Sequence, residues 1–172
     1  MQLFSLHPGR RHYFTVHYCG LRLLSGKCVE SSAGLRDYCA EMSSPLHPVL
    51  ERLQADTVAR AHNPGQQSAR QVLQLNSLLI RGLGARRVLD IGVFTGSSAL
   101  AAALALPGHG TVIALEKSEK YAEFARKYWR EAGVEDKIEL VTGPALETLD
   151  RMLNAGESES IDFAYIGNHL IK

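Results

Sequence analysis

A doubly wound, parallel α/β sheet is the fold this sequence predicts, on three observations. From residue 87 onward, four short apolar runs with β-branched residues alternate with three stretches of helical periodicity. Glycine and proline fall between the two kinds of segment, at Gly92, Pro107, Gly108, Gly133, Pro144 and Gly156. No repeat or low-complexity tract competes with that alternation, and strand–helix–strand units of this spacing close as right-handed crossovers of a parallel sheet.

Each element has its own local reason. Residues 35–41, 45–60 and 66–81 carry apolar side chains at mainly helical spacing, as in Val72, Leu75, Leu79 and Leu83, and are expected to pack ahead of the core. Gly82 and Gly84 break the last of them, and the run from Arg87 to Gly92 then reads as a buried strand. Ser97 to Leu106 is rich in alanine and leucine and is therefore helical, stopping at Pro107 and Gly108. Thr111 to Glu116 is the second strand. Ser118 is positioned to cap the next helix, whose apolar residues Tyr121, Phe124, Ala125, Tyr128, Trp129 and Ala132 share one face up to the stop at Gly133. An aromatic stripe at helical spacing packs more often than it binds, so Tyr121, Phe124 and Trp129 are assigned to the core. Lys137 to Thr142 forms the third strand, Pro144 opens a helix carrying Leu146, Leu149 and Leu153, and Ile161 to Ile166 forms the fourth strand.

Composition narrows the function. The chain has 172 residues, 45% hydrophobic and 22% charged, as in an ordinary globular domain with a sizeable core. Nineteen basic against 18 acidic residues leave a net charge of +1, which asks for no nucleic-acid partner. The longest apolar candidate, Tyr13 to Leu24, is interrupted by His17 and Arg22 and falls short of the roughly 18 to 20 residues of a membrane span. Cys19, Cys28 and Cys39 are odd in number and read as reduced thiols of an intracellular, cytoplasmic protein. A mitochondrial location is the alternative, because the first 29 residues hold Arg10, Arg11, Arg22 and Lys27 and no acid. Residues 1–34 are accordingly expected to be irregular or targeting-like, and residues 35–172 to form the domain. His7, His12 and His17 recur every five residues, a spacing that shares a face on neither a helix nor a strand, so they make a poor metal cluster.

In a doubly wound sheet the ligand sits beyond the carboxyl ends of the strands. After the first strand stands Asp90-Ile-Gly92-Val-Phe94-Thr95-Gly96-Ser97-Ser98, where two glycines allow a tight turn into a helix start with free N–H groups. A dinucleotide fingerprint needs glycine at the position of Phe94, so a nicotinamide cofactor is disfavoured. A ligand with an ammonium and a carboxylate fits better: Asp90 opposes the ammonium and the helix start receives the carboxylate. That is the amino-acid end of S-adenosylmethionine. Glu116 ends the second strand where a carboxylate can accept both ribose hydroxyls, and Gly143-Pro144-Ala145 offers close backbone approach for a flat ring such as adenine.

The stretches Val88 to Leu100, Ala103 to Pro107, Glu131 to Val134 and Gly143 to Leu149 resemble the cation-dependent O-methyltransferases of the caffeoyl-CoA and catechol type. The resemblance runs from about residue 35 to 166. It implies a class I, Rossmann-like methyltransferase fold that moves a methyl group from S-adenosylmethionine to a small phenolic or catecholic hydroxyl, aided by a divalent cation, usually magnesium. Carried over by position, it implies that Asp90 and Gly92 hold the methionine moiety, Ser98 lies beside it, Glu116 takes the ribose and Ala145 contacts the adenine.

Two departures accompany the resemblance. The helix before the first strand usually opens with a methionine and a proline–acid pair facing the cofactor, where this chain has Gln66-Gln-Ser-Ala-Arg-Gln71. The family's fourth strand leads into Asp-Ala-Asp-Lys, source of a metal ligand and of the base, where this chain reads Gly167-Asn168-His169-Leu170 and ends at Lys172. A phenolic hydroxyl has a pKa of about 10 and needs a metal or base to be methylated near neutral pH. The expectation is therefore a carboxyl-terminally truncated sheet lacking its last strands, with the metal ligands absent, the catalytic residues unassigned, and Phe163, Tyr165 and Ile166 on an uncovered edge. The alternative expectation is a non-catalytic cofactor-binding or interaction fragment that forms a homo-oligomer or pairs with a full-length family member.

Overall fold

The computed structural model describes residues 14–17 and 33–167. Three helices come first after the strand β1 (Phe14–His17): α1 (Ala33–Glu41), α2 (Pro48–Arg60) and α3 (Arg70–Gly82). The alternating part then runs β2 (Arg87–Ile91), α4 (Ser97–Ala105), β3 (Thr111–Glu116), α5 (Glu119–Glu131), β4 (Ile138–Thr142), α6 (Ala145–Asn154) and β5 (Phe163–Ile166). All five strands are parallel, in the order β1-β5-β2-β3-β4. The expected alternation is thus present, with Pro144 standing just before the first residue of α6 rather than on it.

β2 and β3 are the middle of the core, and their sequences say why. Val88 and Asp90 point to one face, where α2, α3, α4 and α5 pack around Val112, Ala114, Phe163 and Tyr165. Leu89 and Ile91 point to the other, where Ile113, Leu115, Ala164 and Ile166 meet Ala145, Leu149 and Met152 of α6. A strand apolar on both faces is the signature of a parallel sheet covered on both sides. α4 is buried almost all round, and its run of serines and alanines lets α3 pack closely against it. Lys137 steadies the far end of α4 by donating from Nζ to the carbonyls of Ala103 at 3.3 Å and Leu106 at 3.2 Å, a cation set against the negative end of a helix. At the start of α2, His47 accepts the Val49 N–H at its Nδ1, 3.3 Å away, while Pro48 fills a position that needs no donor.

The edge of β5 differs from expectation. Phe14 to His17 pair with Phe163 to Ile166 in parallel register, so β5 is an interior strand and the outer edge is four residues of β1. The physical reason is that a row of free N–H and C=O groups favours any extended segment that can satisfy them. Phe14, Thr15 and Val16 are aromatic and β-branched, the residue types suited to that state. These four residues, with Ala33 and Gly34 of α1, lie in the segment read as irregular or targeting-like. His7, His12, Cys19, Cys28, Asn168, His169 and Lys172 lie outside the described residues, and among the described residues Cys39 is an exposed free thiol. No helix among the described residues is long and apolar enough to cross a membrane.

The aromatic stripe of α5 is divided. Tyr128 and Trp129 are fully buried, whereas Tyr121 is only half-buried and leans on Phe94 of the turn after β2, ring centroids 4.5 Å apart. Ser118 stands at the cap position, but its hydroxyl makes no capping bond.

Asp162 locks β5 to β2 at their amino ends. Its Oδ2 accepts the N–H groups of Arg86 and Arg87, both at 2.9 Å, and its own N–H donates to the Arg87 carbonyl at 2.9 Å. Asp162→Ala should lower unfolding free energy by about 1–3 kcal/mol, the loss expected when partners of a charged acceptor are stranded. Urea denaturation with an unchanged slope and a lower midpoint would show it; an unchanged midpoint would mean that solvent replaces the carboxylate.

Candidate functional site

β2 brings Asp90 and Ile91 to the carboxyl end of the sheet, and the chain then turns through Gly92, Phe94 and Gly96 with φ of 85°, 53° and 95°. Three left-handed residues in five make a tight reversal that only glycine tolerates freely. Phe94 is not glycine, and it is held there. Its N–H donates to Glu116 Oε2 at 2.6 Å while its ring rests on Tyr121. Gly96 leaves no room for a side chain: a Cβ would lie 2.5 Å from the Ala125 Cβ and 2.9 Å from the Trp129 Nε1. The Trp129 indole N–H donates to the Gly96 carbonyl at 3.1 Å. Gly92 is tied to the neighbouring strand through its N–H to the Leu115 carbonyl at 2.9 Å.

Beneath this turn lies Asp90, 1% exposed, with neither carboxylate oxygen in a hydrogen bond. Burial pushes its pKa up to about 7; the Ser98 hydroxyl draws it down in part, and the charge of Glu116 raises it. A buried carboxyl relieved only by the Ser98 hydroxyl is costly to keep. Such groups concentrate where a ligand completes them.

Glu116 serves the protein before any ligand. Oε2 takes the Phe94 N–H and Oε1 takes the Ser118 N–H at 2.8 Å, so the carboxylate fastens the turn after β2 to the start of α5. Each carboxylate oxygen can accept a second bond, which leaves two places for ribose hydroxyls. Glu116 lies in register with Thr142, and the Gly143 N–H donates to the Glu116 carbonyl at 3.0 Å. Ala145 follows as the first residue of α6, packed against the apolar cluster on that face of the sheet. Ser98 is buried in the first turn of α4, beside Asp90. The predicted residues Asp90, Gly92, Ser98, Glu116 and Ala145 are therefore gathered along the carboxyl ends of three adjacent strands.

Other contacts at this end left no pattern in the sequence. Thr57 of α2 and Thr95 of the turn join hydroxyls at 2.8 Å in the dry core. Tyr165, in register with Asp90, meets the Ser68 hydroxyl at 2.9 Å, which fixes the chain just before α3. Gly167 donates to the Ile91 carbonyl at 2.7 Å, and a Cβ there would sit 2.8 Å from the Gly92 carbonyl oxygen. A glycine directly after a strand was the available signal for that last contact. Among the described residues, no group of three His, Cys, Asp or Glu side chains is placed to hold a metal ion, so no step is assigned to one.

The sequence model of a family described as O-methyltransferase matches residues 40–169. The chain belongs to the O-methyltransferase family. It is 39% identical over 132 residues to the catechol O-methyltransferase domain-containing protein 1 of Mus musculus, covering 77% of this chain and 50% of that protein. It is 46% identical over 89 residues to the probable caffeoyl-CoA O-methyltransferase 2 of Dictyostelium discoideum, covering 52% and 38%. Among solved structures, an O-methyltransferase from Bacillus cereus in complex with SAH matches with a TM-score of 0.64 and 31% identity, covering 70% of this chain and 55% of that one. The O-methyltransferase TomG from Streptomyces achromogenes, in complex with SAM, matches with a TM-score of 0.65 and 29% identity, covering 69% and 53%. The chain spans half the length of the mouse relative and less of the slime-mould one.

The Asp90 carboxyl makes stability depend on pH in a defined direction. Its folded pKa of about 7 lies above the ordinary 3.8, so between those values the folded state holds a proton that the unfolded state has released. Stability therefore falls as pH rises across that window, by about 4 kcal/mol in all, and levels off above it. In urea denaturation across pH, Asp90→Asn should gain on the wild type by that amount between pH 4 and 7, while parallel curves would show a carboxyl that water reaches.

Proposed function

We propose that this chain binds S-adenosylmethionine at the carboxyl ends of β2, β3 and β4 and forms the cofactor half of an O-methyltransferase acting on a small phenolic or catechol-like hydroxyl. One observation carries the reading: a wholly buried carboxylate with two unused oxygens beneath a left-handed turn that opens a helix. An ammonium group supplies what Asp90 lacks, a cation with several donors, in a low-dielectric setting where such a bond is strongest. The cofactor carboxylate faces the first turn of α4, where Gly96 at the cap offers no side chain to occupy the leading N–H groups. Glu116 accepts from the ribose with its remaining lone pairs, and the chain from Gly143 to Ala145 flanks the adenine. A dinucleotide is the poorer fit. The Phe94 N–H that a pyrophosphate would need is already bonded to Glu116, and that carboxylate would repel the phosphates.

When bound, the cofactor supplies an electrophilic methyl group on a sulfonium centre. The residues of this chain bind and orient it: Asp90 fixes the amino-acid end, Glu116 the ribose, and the turn between them sets the distance. The acceptor must lose a proton as its oxygen takes the methyl group, and among the described residues no group of three His, Cys, Asp or Glu side chains is placed to hold a metal ion for that step. Cofactor binding is thus assigned to the described residues.

Titration with S-adenosylhomocysteine by calorimetry tests this. Saturable binding is expected, unchanged by EDTA, and weaker by about ten- to a hundredfold in Asp90→Asn, the range for hydrogen bonds to a charged group. Because an ammonium stabilises the ionised carboxyl, binding should release a proton below pH 7, and affinity should rise from pH 5.5 to 7.5. Absence of saturable binding, or equal affinity in the asparagine variant, overturns the reading.

A further inference from the structure

We propose that Thr57, on α2, is a positioning residue for the cofactor turn, holding Thr95 so that the turn keeps the geometry on which cofactor affinity depends. This rests on the assignment of that turn to S-adenosylmethionine. Thr57 and Thr95 are 0% and 1% exposed, their hydroxyl oxygens 2.8 Å apart. The Thr57 Oγ1 is also 2.8 Å from the Leu53 carbonyl oxygen. A carbonyl oxygen can only accept, and a threonine hydroxyl has one proton. The Thr57 hydroxyl is the donor in both contacts, its single proton shared between the Leu53 carbonyl and the Thr95 hydroxyl oxygen. Thr57 is the partner of the Thr95 hydroxyl at a place closed to solvent.

The position of Thr95 gives that bond its leverage. It stands between Phe94 and Gly96, both left-handed at 53° and 95°. On one side the Phe94 N–H must reach Glu116, and on the other the Gly96 carbonyl must reach Trp129. Rotation of Thr95 shifts both peptide planes, so its side-chain bond fixes the turn at its midpoint. α2 is itself held against α5, since Asp56, the residue before Thr57, accepts a hydrogen bond from Tyr128. A helix outside the strand crossovers thereby reaches into the turn, and its contact lies behind the face that meets the ligand.

Thr57→Val keeps the shape and volume of the side chain but removes the hydroxyl, leaving the Thr95 hydroxyl buried without that partner. Thr57→Ser keeps the hydroxyl. Two measurements on wild type and both variants separate positioning from simple packing. The first is amide hydrogen exchange in the unliganded protein: Thr57→Val should speed exchange at residues 94–97 by about tenfold, leaving β3 and β4 unchanged. The second is S-adenosylhomocysteine affinity at a temperature where all three proteins are folded by circular dichroism. Thr57→Val should bind about tenfold more weakly, and Thr57→Ser close to wild type.

Wild-type exchange at the turn in Thr57→Val, or a lowered melting temperature with unchanged affinity, overturns the proposal and leaves Thr57 as packing. Equal losses in valine and serine variants also overturn it, because the hydroxyl would then not be the operative group. If the wild type binds no S-adenosylhomocysteine while exchange changes as expected, the cofactor assignment fails and Thr57 still holds the turn.

Discussion

The site depends on one bond: the Glu116 carboxylate reaching back across the sheet to the Phe94 N–H. A bulky residue in the left-handed region is strained, and this charge-assisted bond of 2.6 Å offsets that strain in a buried setting. The same side chain holds the entrance of α5 through Ser118, so turn and helix are set relative to each other by a single group. Trp129 can then meet the Gly96 carbonyl, and Gly96 can lie against Ala125. Remove the carboxylate and these fits lose their common reference.

The two acids at the strand ends do opposite work. Glu116 is satisfied by the protein and gives the site its shape. Asp90 is left without a hydrogen bond of ordinary length, and in the proposed reading that lack is what makes the site receptive. Their separation into a structural and a receptive carboxylate follows from position: Glu116 lies at the rim, where turn N–H groups converge, and Asp90 lies one residue inside the strand, where its neighbours are Tyr165 and Ala114. The charge of Glu116 adds to the difficulty of ionising Asp90, so building the turn also sharpens the demand for a cation.

Much of this was legible in the sequence, for a definable reason. Strand and helix alternation follows from periodicity, and Asp90, Gly92 and Glu116 could be placed at the carboxyl ends of their strands, the end where ligands meet this architecture, from the same pattern. What stayed hidden depends on three-dimensional register. The second role of Glu116 requires knowing that the turn after β2 folds over the end of β3. Thr57 sits on a helix whose pattern says only that its side is buried. Tyr121 shares the spacing of core residues yet leans on Phe94, because α5 begins close to the turn. β1 is four residues long and pairs with the most distant strand in the chain, so no local signal could announce its partner.

That pairing sets a timetable. Phe14 pairs with Phe163, a separation of 149 residues, whereas β2, β3 and β4 are joined by single crossovers. Contacts closed over long loops form late, because ordering the intervening chain must be repaid by structure already present. On a ribosome the first strand to emerge is thus the last to find its place, and until β5 is made its four residues have no template. The helices and β2 to β4 can assemble in the meantime, but β5 arrives with one side bare. The interval before β1 docks is the moment at which a nascent chain of this protein is most exposed to strand exchange with a neighbour, and to chaperones that bind extended segments.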